Sequence, residues 1–219
     1  MNKLLQINSV VNTGSTGRIA EDIGAYVKTK GWESYIAYGR YGNESSSKLI
    51  KVGTKLSNYW HLLITRLFDK HGFGSKFATQ KLIKQIEELE PDLIHLHNLH
   101  GYYVNINILF NYLSTKSIPV VWTLHDCWAF TGHCAYFDIV KCDKWKTECN
   151  KCPQKTIYPA SILFDRSRKN FHHKKKLFNT PQNLTLVPVS NWLNNFLSNS
   201  FLHSISTNVI YNGLDLKKF

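Results

Sequence analysis

Acidic residues are scarce in this chain: 15 Asp and Glu stand against 27 Lys and Arg in 219 residues, a formal charge of +12. A surface of that sign does not repel polyanions, so nucleic acid, acidic phospholipid and phosphorylated small substrates all remain as partners. No run of about 18 uncharged apolar residues occurs, which argues against a membrane-spanning helix. The N-terminus enters a strand pattern directly, with no basic leader and no apolar core of a signal peptide, so the cytoplasm is the expected compartment. Internal repeats and low-complexity tracts are also missing. The length allows one large α/β domain or two small ones.

Cysteines are few but crowded. Of five, Cys134, Cys142, Cys149 and Cys152 fall in one polar loop, separated by seven, six and two residues. In a reducing compartment such crowding favours a metal site over a disulfide framework. The spacing fits one structural, non-catalytic zinc with the Cys149-Asn150-Lys151-Cys152 knuckle as half of it, and His133 can replace one thiol. Only one pair has the tight finger spacing, so disulfides and free thiols stay open.

Leu4–Val11 has the composition of a buried strand, followed by Asn12-Thr13-Gly14-Ser15-Thr16-Gly17-Arg18 and a helical face of Ile19, Ile23, Tyr26 and Val27. Strand, glycine turn and helix together make an anion site, because free N–H groups and the positive helix end converge there. The same pattern is satisfied by a tight turn with Ser15 or Thr16 as the helix cap. Strands are expected at Glu33–Gly39 and Leu49–Gly53. A helix over Leu56–Phe73 puts Trp60, Leu63, Ile64, Leu67 and Phe68 on one stripe, read as core, with a membrane-surface helix as the alternative since Lys55, Arg66, Lys70 and His71 flank it.

Ser75–Glu90 reads as a helix stopped by Pro91, with Phe77, Leu82, Ile83, Ile86 and Leu89 as its apolar positions. Asp92–His97 reads as a central strand with His95 and His97 on one face, leading into the loop Asn98–Tyr103. Packed or substrate-contacting histidines are favoured there over metal ligands. A helix over Val104–Thr115 returns to the strand Val120–Leu124, which implies a parallel sheet. His125 and Asp126 follow at its carboxyl end, where the ligand crevice of open α/β sheets lies. A basic helix, Ser161–Phe178, carries His172-His173-Lys174-Lys175-Lys176, read as a solvated face with anionic lipid or phosphate as the alternative. Leu184–Val189, a helix Asn191–Leu197 capped by Ser190, and a strand Thr207–Tyr211 complete the chain.

Four segments taken together, VNTGSTGRIAEDI, PDLIHLHNLHGYYVNI, VVWTLHDCWAFTGHC and VPVSNWL with VIYNGLDLKKF, resemble the N-terminal half of a family 4 glycosyltransferase of the GT-B architecture. HDCWAFTGHC with the later Cys-x2-Cys-Pro is similar to a bacterial subgroup working in colanic-acid-type and capsule polysaccharide assembly. The resemblance implies a Rossmann-like parallel sheet flanked by helices over 1–215, a cysteine-rich insertion at 126–158, and at 216–219 the start of a linker to an absent donor-binding C-terminal domain. It implies a retaining hexosyltransferase that moves sugar from a nucleotide-sugar donor to a glycan or lipid-linked glycan acceptor, with no catalytic metal. Carried onto this chain, Gly14, Ser15, Thr16, Gly17 and Arg18 meet the donor diphosphate. His97, Asn98, His100 and Tyr102 shape the acceptor pocket, and His125 with Asp126 sits at the reaction centre. The family's pair of glutamates seven apart is missing from these residues, so the fragment alone is expected to be inactive. Peripheral contact with an anionic membrane is expected to be the extent of membrane binding. Two other readings stay open: a non-catalytic sugar- or nucleotide-binding module, and a basic nucleic-acid-binding protein. The second is disfavoured because the Lys174 run lacks interleaved aromatics.

Overall fold

A computed structural model describes residues 1–213. The expected linker start at 216–219 lies outside the described residues. Seven strands form one sheet in the order β3-β2-β1-β4-β5-β6-β7, all parallel. They are β1 (Lys3–Asn8), β2 (Glu33–Tyr38), β3 (Lys48–Lys51), β4 (Leu93–Leu96), β5 (Val120–Leu124), β6 (Leu184–Pro188) and β7 (Ser206–Thr207). The helices are α1 (Gly14–Thr29), α2 (Lys55–Phe68), α3 (Lys76–Leu89), α4 (Ile106–Leu113), α5 (Ser167–Phe178) and α6 (Asn191–Ser198). This is a Rossmann-like doubly wound sheet. Its order reverses between β1 and β4, and at such a switch point the loops leave the carboxyl ends in opposite directions and open a crevice.

Composition explains the central strands. β1 is buried at five of its six positions and β5 carries Val120, Trp122 and Leu124 inward, because a parallel strand covered on both faces needs apolar residues throughout. Trp122 packs between Phe110 of α4 and Phe178 of α5, with ring centroids at 5.3 and 4.9 Å, which locks both helices to one side of the sheet. Ser190 caps α6 as expected, its hydroxyl accepting from the Leu193 N–H.

Several expectations are corrected. α1 starts at Gly14, so Ser15 and Thr16 lie inside the first turn, and the capping position is Thr13, whose side chain makes no capping bond. Gly14 has φ +61°, a left-handed value that favours glycine, whereas Gly17 is needed for space: an added Cβ would sit 3.0 Å from Val10 and 3.2 Å from the Asn12 nitrogen. Tyr26 and Phe77, assigned to apolar helix faces, are exposed. α5 begins at Ser167, not Ser161, and the last strand is only Ser206–Thr207, although Asn208 and Ile210 still donate to Leu186 and Pro188 of β6. In the basic run of α5, Lys174 is buried; it donates to the Trp128 and Thr131 carbonyls at 2.7 and 3.2 Å over the Trp128 ring. The largest departure is α2: of its expected core stripe Trp60, Leu63 and Phe68 are exposed and Ile64 and Leu67 half-buried, while the fully buried positions are His61 and Thr65.

Candidate functional site

The site is built where β1, β4 and β5 end. His97, Asn98, His100, His125 and Asp126 line one narrow cleft together with Trp122 and Trp128. Strand periodicity sets the first part: His95 of β4 and His97 just past its end, two residues apart, stack with centroids 4.1 Å apart, and His125 after β5 stacks on His97 at 5.7 Å. The tautomers follow from the partners. Gln6 donates through Nε2 to the Ala20 carbonyl, so its Oε1 accepts from His97 Nε2 at 3.0 Å. His97 Nδ1 is then the acceptor facing His125 Nε2 at 3.4 Å, which leaves His125 Nδ1 as a free acceptor. Burial pushes the His125 pKa down to about 4, with His100 acting the same way, and the neighbouring Asp126 does not offset them. His125 is therefore a neutral imidazole near pH 7, half-buried at the mouth of the cleft.

Asp126 is engaged on both oxygens. Oδ1 accepts the Trp128 N–H at 2.9 Å and Oδ2 lies 2.7 Å from His100 Nε2. Burial opposes ionisation of this carboxyl, but the His100 charge and bond together with the Trp128 N–H hold it below the usual range. Asp126 thus orients His100, not His125. The other side of His100 is fixed by Tyr158, whose hydroxyl lies 2.9 Å from Nδ1 and donates to the His100 carbonyl at 2.8 Å.

The glycine turn adjoins this cleft through Asn8, the last residue of β1. Its amide nitrogen donates to the Val10 carbonyl and reaches Thr16 Oγ1 at 3.4 Å, while its Oδ1 accepts the Asn98 N–H at 3.2 Å. Gly14, Ser15 and Arg18 are exposed at the start of α1, and no acidic residue occupies its first turn, so the positive helix end is open to an anion. Tyr102 is not part of the cleft lining: it is buried at φ +62°, packs on His71 with centroids at 4.9 Å, and lies beneath Arg40.

Sequence reasoning missed Gln6, Asn8, His71 and Tyr158. The two amides carried a readable signal, polar residues inside an otherwise apolar strand. Tyr158 carried none, being 58 residues from His100.

The cysteine loop is corrected as well. Cys134, Cys142, Cys149 and Cys152 do converge, with His133, on one small cavity. All five cysteines are free thiols, and among the described residues no three His, Cys, Asp or Glu side chains form a group that could hold a metal, so the structural zinc is not supported. Burial drives the Cys149 thiol up to about 12, and the bond with Cys134 together with burial raises Cys152 further. Buried protein groups brace the loop instead. His133 Nδ1 lies 2.6 Å from Asp69 Oδ1, a fully buried pair, and its Nε2 has no hydrogen-bond partner. Asp69 Oδ2 accepts the Arg166 N–H at 2.8 Å, and Trp145 stacks on Phe137 at 4.9 Å.

Residues 16–218 match the sequence model of Glycosyltransferase Family 4. The chain belongs to Glycosyltransferase Family 4. It is 30% identical over 187 residues to the putative colanic acid biosynthesis glycosyl transferase WcaC of Escherichia coli (strain K12), covering 80% of this chain and 45% of that one. The family 4 chain thus spans less than half the length of the curated relative it matches. Among solved structures, the crystal structure of Acinetobacter baumannii MurG aligns with the whole chain and 68% of its own at 10% identity and a TM-score of 0.38, a likeness too slight to bear on fold or function. No helix among the described residues is long and apolar enough to cross a membrane.

Proposed function

We propose that this family 4 chain is the acceptor-side half of a retaining GT-B hexosyltransferase, which moves a sugar from a nucleotide-sugar donor to a glycan or lipid-linked glycan in surface polysaccharide synthesis. One observation carries the reading: a neutral, half-buried His125 and the paired His100 and Asp126 share a cleft with the β4 loop, hydrogen-bonded through Asn8 to the glycine turn, at the sheet's switch point. The donor-binding domain follows this half in the full-length chain and closes the cleft.

Each part has a physical task. As the nucleoside diphosphate leaves, negative charge grows on its phosphates, and the N–H groups and dipole at Gly14 to Arg18 stabilise it. Positive charge grows on the anomeric carbon. A neutral imidazole with a free Nδ1 lone pair tolerates that charge and orients the sugar by hydrogen bonding, where an imidazolium would oppose it. His97, Asn98 and His100 position the acceptor, with Asp126 and Tyr158 holding His100 in place. Transfer on this reading needs the donor lobe as well as these residues. The test is sugar transfer by the full-length enzyme: His125→Ala lowers kcat at least about tenfold, about 1.4 kcal/mol of barrier, with folding unchanged. Turnover equal to the unaltered enzyme removes His125 from the site.

A further inference from the structure

A surface helix normally buries its apolar stripe and shows its polar face to water, because that partition gains the hydrophobic term and loses no hydration. α2 does the reverse. Its inward face is polar, and its two fully buried side chains are hydrogen-bonded: His61 Nε2 accepts the Gly72 and Gly74 N–H groups at 3.2 Å each, His61 Nδ1 meets Ser75 Oγ at 2.9 Å, and Thr65 donates to the His61 carbonyl. Its outward face is Leu56, Tyr59, Trp60, Leu63 and Leu67, the i, i+3, i+4, i+7, i+11 spacing of one continuous stripe. Leu56, Tyr59 and Trp60 are 79, 68 and 62% exposed.

The stripe continues onto a second segment. Ile162 donates its N–H to the Arg66 carbonyl at 2.7 Å, and Phe68 stacks on Phe164 with centroids 5.7 Å apart. Ile162, Leu163 and Phe164 are themselves more than half exposed. Contiguous apolar surface of this kind marks a docking face. Charge decides what docks. Lys55–Phe68 contains Lys55 and Arg66 and no acid, Pro153–Phe164 contains Lys155 and no acid, and the whole chain carries +12. Asp165, just past Phe164, is the exposed acid beside this face, and the cations Lys55, Arg66 and Lys155 outnumber it; apolar residues with Trp and Tyr among them, in a field of net positive charge, match the interface of an anionic bilayer.

We propose that the outward face of α2, with Ile162 to Phe164, is the surface by which this protein lies on an anionic lipid bilayer. α2 also touches the loops that leave the carboxyl ends of β2, β4 and β5: Asn58 donates to the Gly39 carbonyl, His61 packs on Tyr102, and Arg66 accepts from Ile162. A bilayer bound there lies beside the cleft, where a lipid-linked acceptor would arrive. Only this last link rests on the transferase reading; the docking itself does not.

The test is co-sedimentation of the chain with phosphatidylcholine vesicles, with and without phosphatidylglycerol. Partitioning that requires phosphatidylglycerol, and that falls about tenfold or more in the double variant Trp60→Glu, Leu63→Glu, supports the proposal. Phe77→Ser, at the exposed Phe77 of α3, partitions as the unaltered chain does. Should the double variant fail to fold, quenching of Trp fluorescence by brominated lipid, lost in Trp60→Phe, reads the same contact. No partitioning onto acidic vesicles overturns the proposal, as does partitioning the double variant leaves intact. Self-association abolished by the double variant, without vesicle binding, assigns the face to a second copy. None of these readouts needs sugar transfer, so the docking and the reaction fail independently.

Discussion

Replacing Asp69 tests the brace of the cysteine loop. Asp69 and His133 have no exposed side-chain surface, lie 2.6 Å apart, and join the segment after α2 to the loop after β5. Burial opposes a charge on His133, but Asp69 outweighs it and holds the His133 pKa above its usual value. Asp69→Ala leaves that imidazole buried with no counter-charge, and breaking such a pair costs about 3–5 kcal/mol. The Arg166 N–H also loses its acceptor, for about 1–3 kcal/mol more if water does not replace it. We expect about 4 kcal/mol in urea unfolding, a fall in Tm of roughly 8–16 °C for a chain of this size. Asp69→Ala with His133→Ala recovers part of the loss, because the stranded imidazole is gone. A loss below about 1 kcal/mol in Asp69→Ala refutes the brace.

Other outcomes follow from the same structure. Desolvation depresses the pKa values of buried His61 and of half-buried His95 and His125 to about 4. The unfolded chain therefore binds more protons between about pH 6.5 and 4, and stability falls on acidification; His61 alone contributes about 2 kcal/mol of loss between pH 7 and 5, and a flat urea midpoint over that range contradicts the assignment. His133 acts in the opposite sense, losing its contribution as pH rises through its raised pKa. Gly17→Ala forces a Cβ against Val10 and the Asn12 backbone, costing about 1–3 kcal/mol by urea unfolding. Tyr158→Phe removes the hydroxyl that fixes His100, so in the full-length enzyme kcat falls while stability changes by about 1 kcal/mol; an unchanged kcat separates Tyr158 from the site.

Much of the fold was legible because it rests on periodicity. The apolar runs of β1 and β5, the alternating histidines at the end of β4 and the Ser190 cap each follow a local rule and sit where the rule puts them. What failed depends on partners distant in sequence. The stripe of α2 has the same spacing whether it faces core or solvent, and only His61 packing on the Gly72–Ser75 turn decides which. Asp69 and His133 are 64 residues apart, and nothing local marks either as half of a buried pair. Lys174 sits in a run of cations whose neighbours are solvated, and its burial comes from the Trp128 ring. The clustering of the cysteines was readable, whereas their packing against Trp145 and Phe137 was not. In the cleft, residue types and strand ends pointed to His125 and His97, but Asp126 pairs with His100 across 26 residues of chain, which no local pattern marks.

The central claim is that sugar meets protein where β1, β4 and β5 end. The most direct measurement is the histidine-ring NMR spectrum of this chain titrated with a nucleoside diphosphate sugar. The account predicts shifts at His125 and His97 together with the Gly14–Gly17 amides, and none at His172 or His203. Shifts confined to the basic exterior of α5, with the cleft unmoved, would contradict it.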